Sequence, residues 1–199
     1  MPLPRNYKKV SGFIVPKKAA SRAPRQSSSS AGELHYIDIA NAAYGCNTTG
    51  SITLFNTVAQ GASQSQRIGK KFRMSQLVMS GKVANSTTAV SNDVKFALVY
   101  DKRPTGVLPS ITDIYDSVTA HTLRKEDNKG RFQIIKEWNK VLLGNATAGN
   151  HQSFSQNFEQ KVSLSNKLVV NKSAGTGAIG DIEQGALYLV TMGENAAGT

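Results

Sequence analysis

Val94-Lys95-Phe96-Ala97-Leu98-Val99-Tyr100 carries its larger side chains, Val94, Phe96, Leu98 and Tyr100, at every second position. Period two marks a pleated strand, whose successive side chains point to opposite faces. The same pattern recurs on either side. Phe132, Ile134, Lys136 and Trp138 share one parity with Ile135 opposite, and the stretch continues through Val141-Leu142-Leu143 to Gly144. In 72–84, Phe72 and Met74 lie on one parity and Leu77, Met79 and Val83 on the other, a change of phase that predicts a β-bulge. Further strands are expected at 34–40, 51–58, 154–164, 167–171 and 186–192, separated by turn-rich clusters at 45–50, 85–92, 144–150 and 175–180. Helix signals are scarce. Ser110 followed by Asp113, with Ile111, Ile114, Tyr115 and Val118 at helical spacing, predicts about two turns over 110–118. This is the pattern of an all-β sandwich or barrel.

At 199 residues the chain suits one ordinary domain. Its 24 Lys and Arg exceed its 13 Asp and Glu, giving a net charge of +11. The excess is lopsided. Residues 1–32 hold Arg5, Lys8, Lys9, Lys17, Lys18, Arg22 and Arg25 with no acid, four of the six prolines, and the run Ser27-Ser28-Ser29-Ser30. A segment with so little apolar surface cannot offset its ordering entropy, so 1–32 reads as a disordered basic arm and 33–199 as the folded domain. Cations without interspersed acids suit a polyanion, because neutralising phosphates releases condensed counterions without any reading of bases. Lys8-Lys9 and Lys17-Lys18 also read as a nuclear address, and a solubilising tail is the plainer alternative. Phe13-Ile14-Val15 is too small a patch for a membrane, and no apolar run approaches a spanning length. Cys46 is the single cysteine, which excludes an intrachain disulfide framework and a cysteine-rich zinc module.

Enzyme constellations fail. The histidines, His35, His121 and His151, form no HExxH, and Cys46 sits in a turn without a basic neighbour. Gly175-Thr176-Gly177-Ala178-Ile179-Gly180 spells GxGxxG, but the strand-like 186–192 follows too closely to leave room for the helix a dinucleotide site needs. Asp101 beside Lys102-Arg103 reads as a strand-end ion pair or a turn former, and Asp113, Asp116, Glu126 and Asp127 match no calcium loop. No catalytic residue, cofactor or metal ligand is assigned.

Four segments in order carry a resemblance. Gly50-Ser51-Ile52-Thr53-Leu54-Phe55-Asn56 leads through Val58-Ala59-Gln60-Gly61 to Arg67-Ile68-Gly69-Lys70-Lys71; Phe96-Ala97-Leu98-Val99-Tyr100-Asp101-Lys102-Arg103-Pro104 precedes Gly106 and Pro109; Arg131-Phe132-Gln133-Ile134-Ile135 and Gly185-Ala186-Leu187-Tyr188-Leu189-Val190 follow. Together they resemble capsid proteins of small circular single-stranded DNA viruses, and the second is close to the geminivirus version. Coat proteins of satellite necrosis-type RNA viruses are similar too, so DNA is favoured over RNA by likeness alone.

The resemblance implies a single eight-stranded jelly roll, an antiparallel sandwich whose copies close into a small icosahedral T=1 shell in the virion. On that reading the basic arm points inward onto a single-stranded genome. About 60 copies would bring roughly 420 arm cations inside such a shell. Import factors and the host nucleus enter through the same basic pairs. The family continues past 186–192 to a final strand; here that strand lies beyond Thr199 or leaves an open edge. Lys70, Lys71 and Arg73 open a strand and either face nucleic acid or are simply solvated. Tyr7, Phe13 and Tyr36 suit stacking on unpaired bases, with a place in the sheet the favoured reading of Tyr36. The competing class is a non-capsid single-stranded nucleic-acid-binding β-domain of transport or chaperone type.

Overall fold

The computed structural model describes residues 7–10, 13–16, 35–39, 43–84, 91–143, 155–172 and 175–195. The chain divides into two units, Met1–Leu34 and His35–Thr199. In the first, β1 (Tyr7–Val10) and β2 (Phe13–Pro16) pair antiparallel from Tyr7↔Pro16 to Val10↔Phe13. The disorder expected across 1–32 therefore does not hold for these eight residues. Tyr7, Val10, Phe13, Ile14 and Val15 are strand formers, and Ser11-Gly12 between them is a pair suited to joining short strands.

The second unit contains, among its described residues, β3 (Ser51–Leu54), β4 (Lys71–Ala84), β5 (Asn92–Asp101), α1 (Ile111–Ile114), β6 (Phe132–Leu142), β7 (Ser155–Asn171), β8 (Ile182–Gln184) and β9 (Ala186–Gly193). They form a four-stranded sheet, β3-β9-β5-β6, and a three-stranded sheet, β4-β7-β8, with every pairing antiparallel. This is an all-β architecture consistent with a sandwich. Among the described residues no helix is long and apolar enough to cross a membrane.

β5 shows how the core is layered. Leu98 and Tyr100 pack with Leu187 of β9 and with Val162 and Leu164 of β7, joining the two sheets. Ala97 and Val99, of opposite parity, pack with Ile111, Ile114, Tyr115 and Phe132, so the long connection between β5 and β6 covers the other face. That is why β5 is almost wholly buried. The phase change in β4 is a true irregularity, with the register shifting between Met74 and Gln76 opposite β7.

Several expectations need correction. Among the described residues this unit has seven strands, against the eight expected. Residues 35–39 are exposed and lie in no strand, and the stretches 154–164 and 167–171 are one continuous strand, β7. β7 stays continuous because Ser165 and Asn166 take the kink themselves, at φ 49 and 54. The helix over 110–118 is a single turn, since Tyr115 is extended at φ −122 and instead bridges to Arg124. β9 is hydrogen-bonded on both sides, by β3 and β5.

Candidate nucleic-acid interface

The turn before β4 is held by one buried cation. Arg67, 4% exposed, donates from Nε to the Val58 carbonyl at 3.2 Å, from Nη1 to Gly69 at 2.7 Å, and from Nη2 to Lys172 at 3.0 Å. Its guanidinium closes a loop and is not available to a ligand. Lys70 and Lys71 emerge from that loop exposed, and the alternation of β4 places Arg73 beside Lys71 on the solvent face while Phe72 and Met74 turn inward. Arg73 donates from Nη1 to the Asn166 carbonyl at 3.2 Å, which steadies it across to β7.

Past the bulge the outward positions become Gln76, Val78, Ser80 and Lys82. The register then brings Lys161 of β7 opposite Val78 and Glu159 opposite Ser80. The solvent face of this strand pair thus presents Lys71, Arg73, Lys82 and Lys161 against one acid among the described residues, Glu159. The face is a cationic strip of point charges on a flat sheet.

A cleft of about 660 Å³ opens at the end of β5, lined by Tyr100, Lys102, Arg103, Gln133, Asn166 and Lys167 among others. Lys167 donates from Nζ to Gln133 Oε1 at 2.8 Å and sits 5.4 Å over the Tyr100 ring. The Tyr100 hydroxyl donates to the Leu168 carbonyl at 2.6 Å. Burial, then the charge of Asp101, raises the Tyr100 pKa, so the phenol stays neutral. With Lys102 and Arg103 exposed at the rim, the cleft is a second cationic surface.

Other sequence-derived positions fall elsewhere. Lys8 and Lys9 lie on β1, at the register of Val15 and Ile14; Arg5, Lys17, Lys18, Arg22 and Arg25 lie outside the described residues. Tyr36 is 60% exposed and in no strand, contrary to the expectation that it belongs to the sheet. Asp101 does form a strand-end ion pair, but with Arg131 rather than with its neighbours Lys102 and Arg103. The GxGxxG stretch is a loop running into a single 3-10 turn, Ile179–Asp181, and Gly177 sits at φ +85 against the Thr57–Val58 backbone. Asp113 accepts from the Ser110 amide at 2.8 Å and Glu126 pairs with Lys129, so these acids are engaged locally. His35 Nδ1 lies 2.8 Å from the Gln64 carbonyl.

Sequence reasoning missed Lys82, Lys161 and Lys167 and read Lys102 and Arg103 only as neighbours of Asp101. The parity of Lys82 relative to the bulge was a usable signal. Lys161 and Lys167 carried none, because their placement depends on which strand pairs with β4.

The family model described as the geminivirus coat protein/nuclear export factor BR1 family matches residues 6–198. Among curated relatives, the capsid protein of Miscanthus streak virus (isolate 91) is 31% identical over 163 residues, covering 71% of this chain and 63% of the relative. The capsid protein of Tomato golden mosaic virus (strain Yellow vein) is 25% identical over 175 residues, 84% of this chain and 65% of the relative. That of Tomato leaf curl virus (strain Australia) is 28% identical over 116 residues, 55% and 45% respectively. The chain thus spans between 45% and 65% of the length of these relatives.

Proposed function

Because the chain belongs to the geminivirus coat protein/nuclear export factor BR1 family, we propose that it is a viral capsid subunit that self-assembles around a single-stranded genome. The observation that carries this reading is the family match across residues 6–198, supported by relatives that are themselves capsid proteins. The shell domain, 33–199, is read as a jelly roll. Four of the six connections among its described strands cross between sheets, and the first of these strands, β3, lies beside the last, β9.

Genome contacts come from Arg5, Lys8, Lys9, Lys17, Lys18, Arg22 and Arg25 of the arm and from Lys70, Lys71 and Arg73 of the body, joined by Lys82 and Lys161. They act on phosphates without selecting sequence, with single-stranded DNA as the favoured cargo. About 60 copies close the shell, as identical subunits do under closed symmetry. Lys8-Lys9 and Lys17-Lys18 address the subunit to the host nucleus through import factors. The role is structural, with no enzymatic step. The second half of the family description favours one other reading, a nucleic-acid carrier between compartments that binds without forming a shell.

Size exclusion with light scattering and the 260/280 nm absorbance ratio separates the two. The capsid reading expects a megadalton peak with nuclease-protected nucleic acid. A peak at the 21.3 kDa chain mass or a small multiple, binding DNA in a salt-sensitive way, overturns it in favour of the carrier.

A further inference from the structure

Asp93, His121 and Glu194 come from three separate parts of the body yet bring one ligand atom each within 4.8 Å of one another. His121 Nε2 lies 2.9 Å from Asp93 Oδ2 and 3.6 Å from Glu194 Oε1. The arrangement is held from beneath. Asn92, fully buried, accepts at Oδ1 from the amides of Glu194 at 3.0 Å and Asn195 at 3.2 Å, while the Glu194 amide also approaches the Asp93 carbonyl at 3.1 Å. Asp93 and Glu194 are thereby fixed across the end of the β5–β9 ladder. The next residue after His121 is also anchored: the Thr122 carbonyl accepts from the buried Lys95 Nζ at 2.9 Å and its hydroxyl accepts from the Ser117 amide at 2.9 Å.

Charge points the same way. In a chain with 24 Lys and Arg, neither Asp93 nor Glu194 has a Lys or Arg ion-pair partner among the described residues. Both carboxylates instead gather on one imidazole. Two oxygens and a neutral ring nitrogen are the donor set of Zn²⁺ and similar borderline cations, whereas Ca²⁺ and Mg²⁺ prefer oxygen throughout. Bonds of about 2.0–2.2 Å in a tetrahedron separate ligand atoms by roughly 3.3–3.6 Å. The 3.6 Å spacing already fits, and the 2.9 Å one opens by a small rotation of the exposed His121.

We propose that Asp93, His121 and Glu194 form a zinc-type divalent cation site, with a fourth position open to water. Its effect is to tie the end of β9 to the 115–124 loop and the start of β5, stabilising the body independently of whether the chain builds a shell.

The test titrates ZnCl₂ into chelator-treated full-length protein by calorimetry and follows melting with and without the metal. One zinc per chain is expected, with the melting temperature rising about 5–10 °C at a hundredfold excess over Kd. CaCl₂ at equal concentration should leave it unmoved. His121→Ala and Glu194→Gln, at exposed positions, should each weaken zinc binding at least tenfold while the metal-free melting temperature stays within about 2 °C of the parent. Absence of saturable binding, or equal binding by both variants and the parent, overturns the site.

Discussion

Asp101 is fully buried at the end of β5, and its environment explains why a carboxylate is tolerated there. Arg131 donates from Nε at 3.0 Å and from Nη2 at 2.8 Å, and the Arg103 amide donates at 2.9 Å. The carboxylate in turn raises the Arg131 pKa, chiefly through that hydrogen bond. Planar bidentate pairing satisfies the acceptor geometry of both oxygens. Asp101→Ala removes the carboxylate and leaves the Arg131 guanidinium, the Arg103 amide and the buried Tyr188 hydroxyl, which donates at 3.5 Å, without it. Because the Arg131 side chain is 27% exposed, water recovers part of the loss, and the cost should be about 3 kcal/mol, at the low end for a broken buried pair. Urea denaturation should show that drop in the midpoint, and a change under 1 kcal/mol would count against the account. The residue type was legible in the sequence, since a lone acid at a strand end asks for a partner. The partner was not: Arg131 is brought to Asp101 only by the β5–β6 register, and Lys102 and Arg103 were nearer in sequence.

Among the elements, β4 and β7 show what periodicity can and cannot reveal. The β4 bulge was legible because inward positions switch from even to odd between Met74 and Leu77. The continuity of β7 was not, since Ser165 and Asn166 have the composition of a turn and do adopt positive φ, yet the ladder resumes beyond them. β8 was equally hidden, being three residues long and defined by its pairing with β7. The β8–β9 corner turns on Gly185, at φ +84, where an added Cβ would lie 2.1 Å from the Leu168 carbonyl oxygen. That oxygen is fixed, because it accepts the Tyr100 hydroxyl. Gly185→Ala combines a left-handed backbone with a collision against main chain, and should cost at least about 2 kcal/mol in the thermal or urea midpoint. Gly130→Ala, where nothing lies within 4 Å of the added carbon, should change stability by less than about 0.5 kcal/mol. Equal effects at the two glycines would contradict this reading of the corner.

For the whole molecule the decisive quantity is how the +11 charge divides. Residues 1–32 hold seven cations and no acid, while 33–199 hold 17 cations and 13 acids, a surplus of four. The body is therefore near neutral on average and relies on local placement, with Lys71, Arg73, Lys82 and Lys161 gathered on the outer face of the β4–β7 pair. Single-stranded DNA loses affinity with salt at a log–log slope of about −0.7 per phosphate neutralised. If the seven arm cations, Lys70 and these four all engage, the slope should be about −8, and removing 1–32 should bring it to about −3.5. Fluorescence anisotropy with a labelled oligonucleotide across a salt series reads both values. A slope that survives the deletion would move binding to the body, whereas loss of all binding would leave the outer face a merely solvated strand surface. Because subunit contacts in a shell are expected from the folded domain, the same deletion should give particles, where they form, with a 260/280 nm ratio falling to that of protein alone. Unfolding of the truncated chain, read by circular dichroism, would show instead that 1–32 supports the body, against the separation of arm and shell on which the charge argument depends.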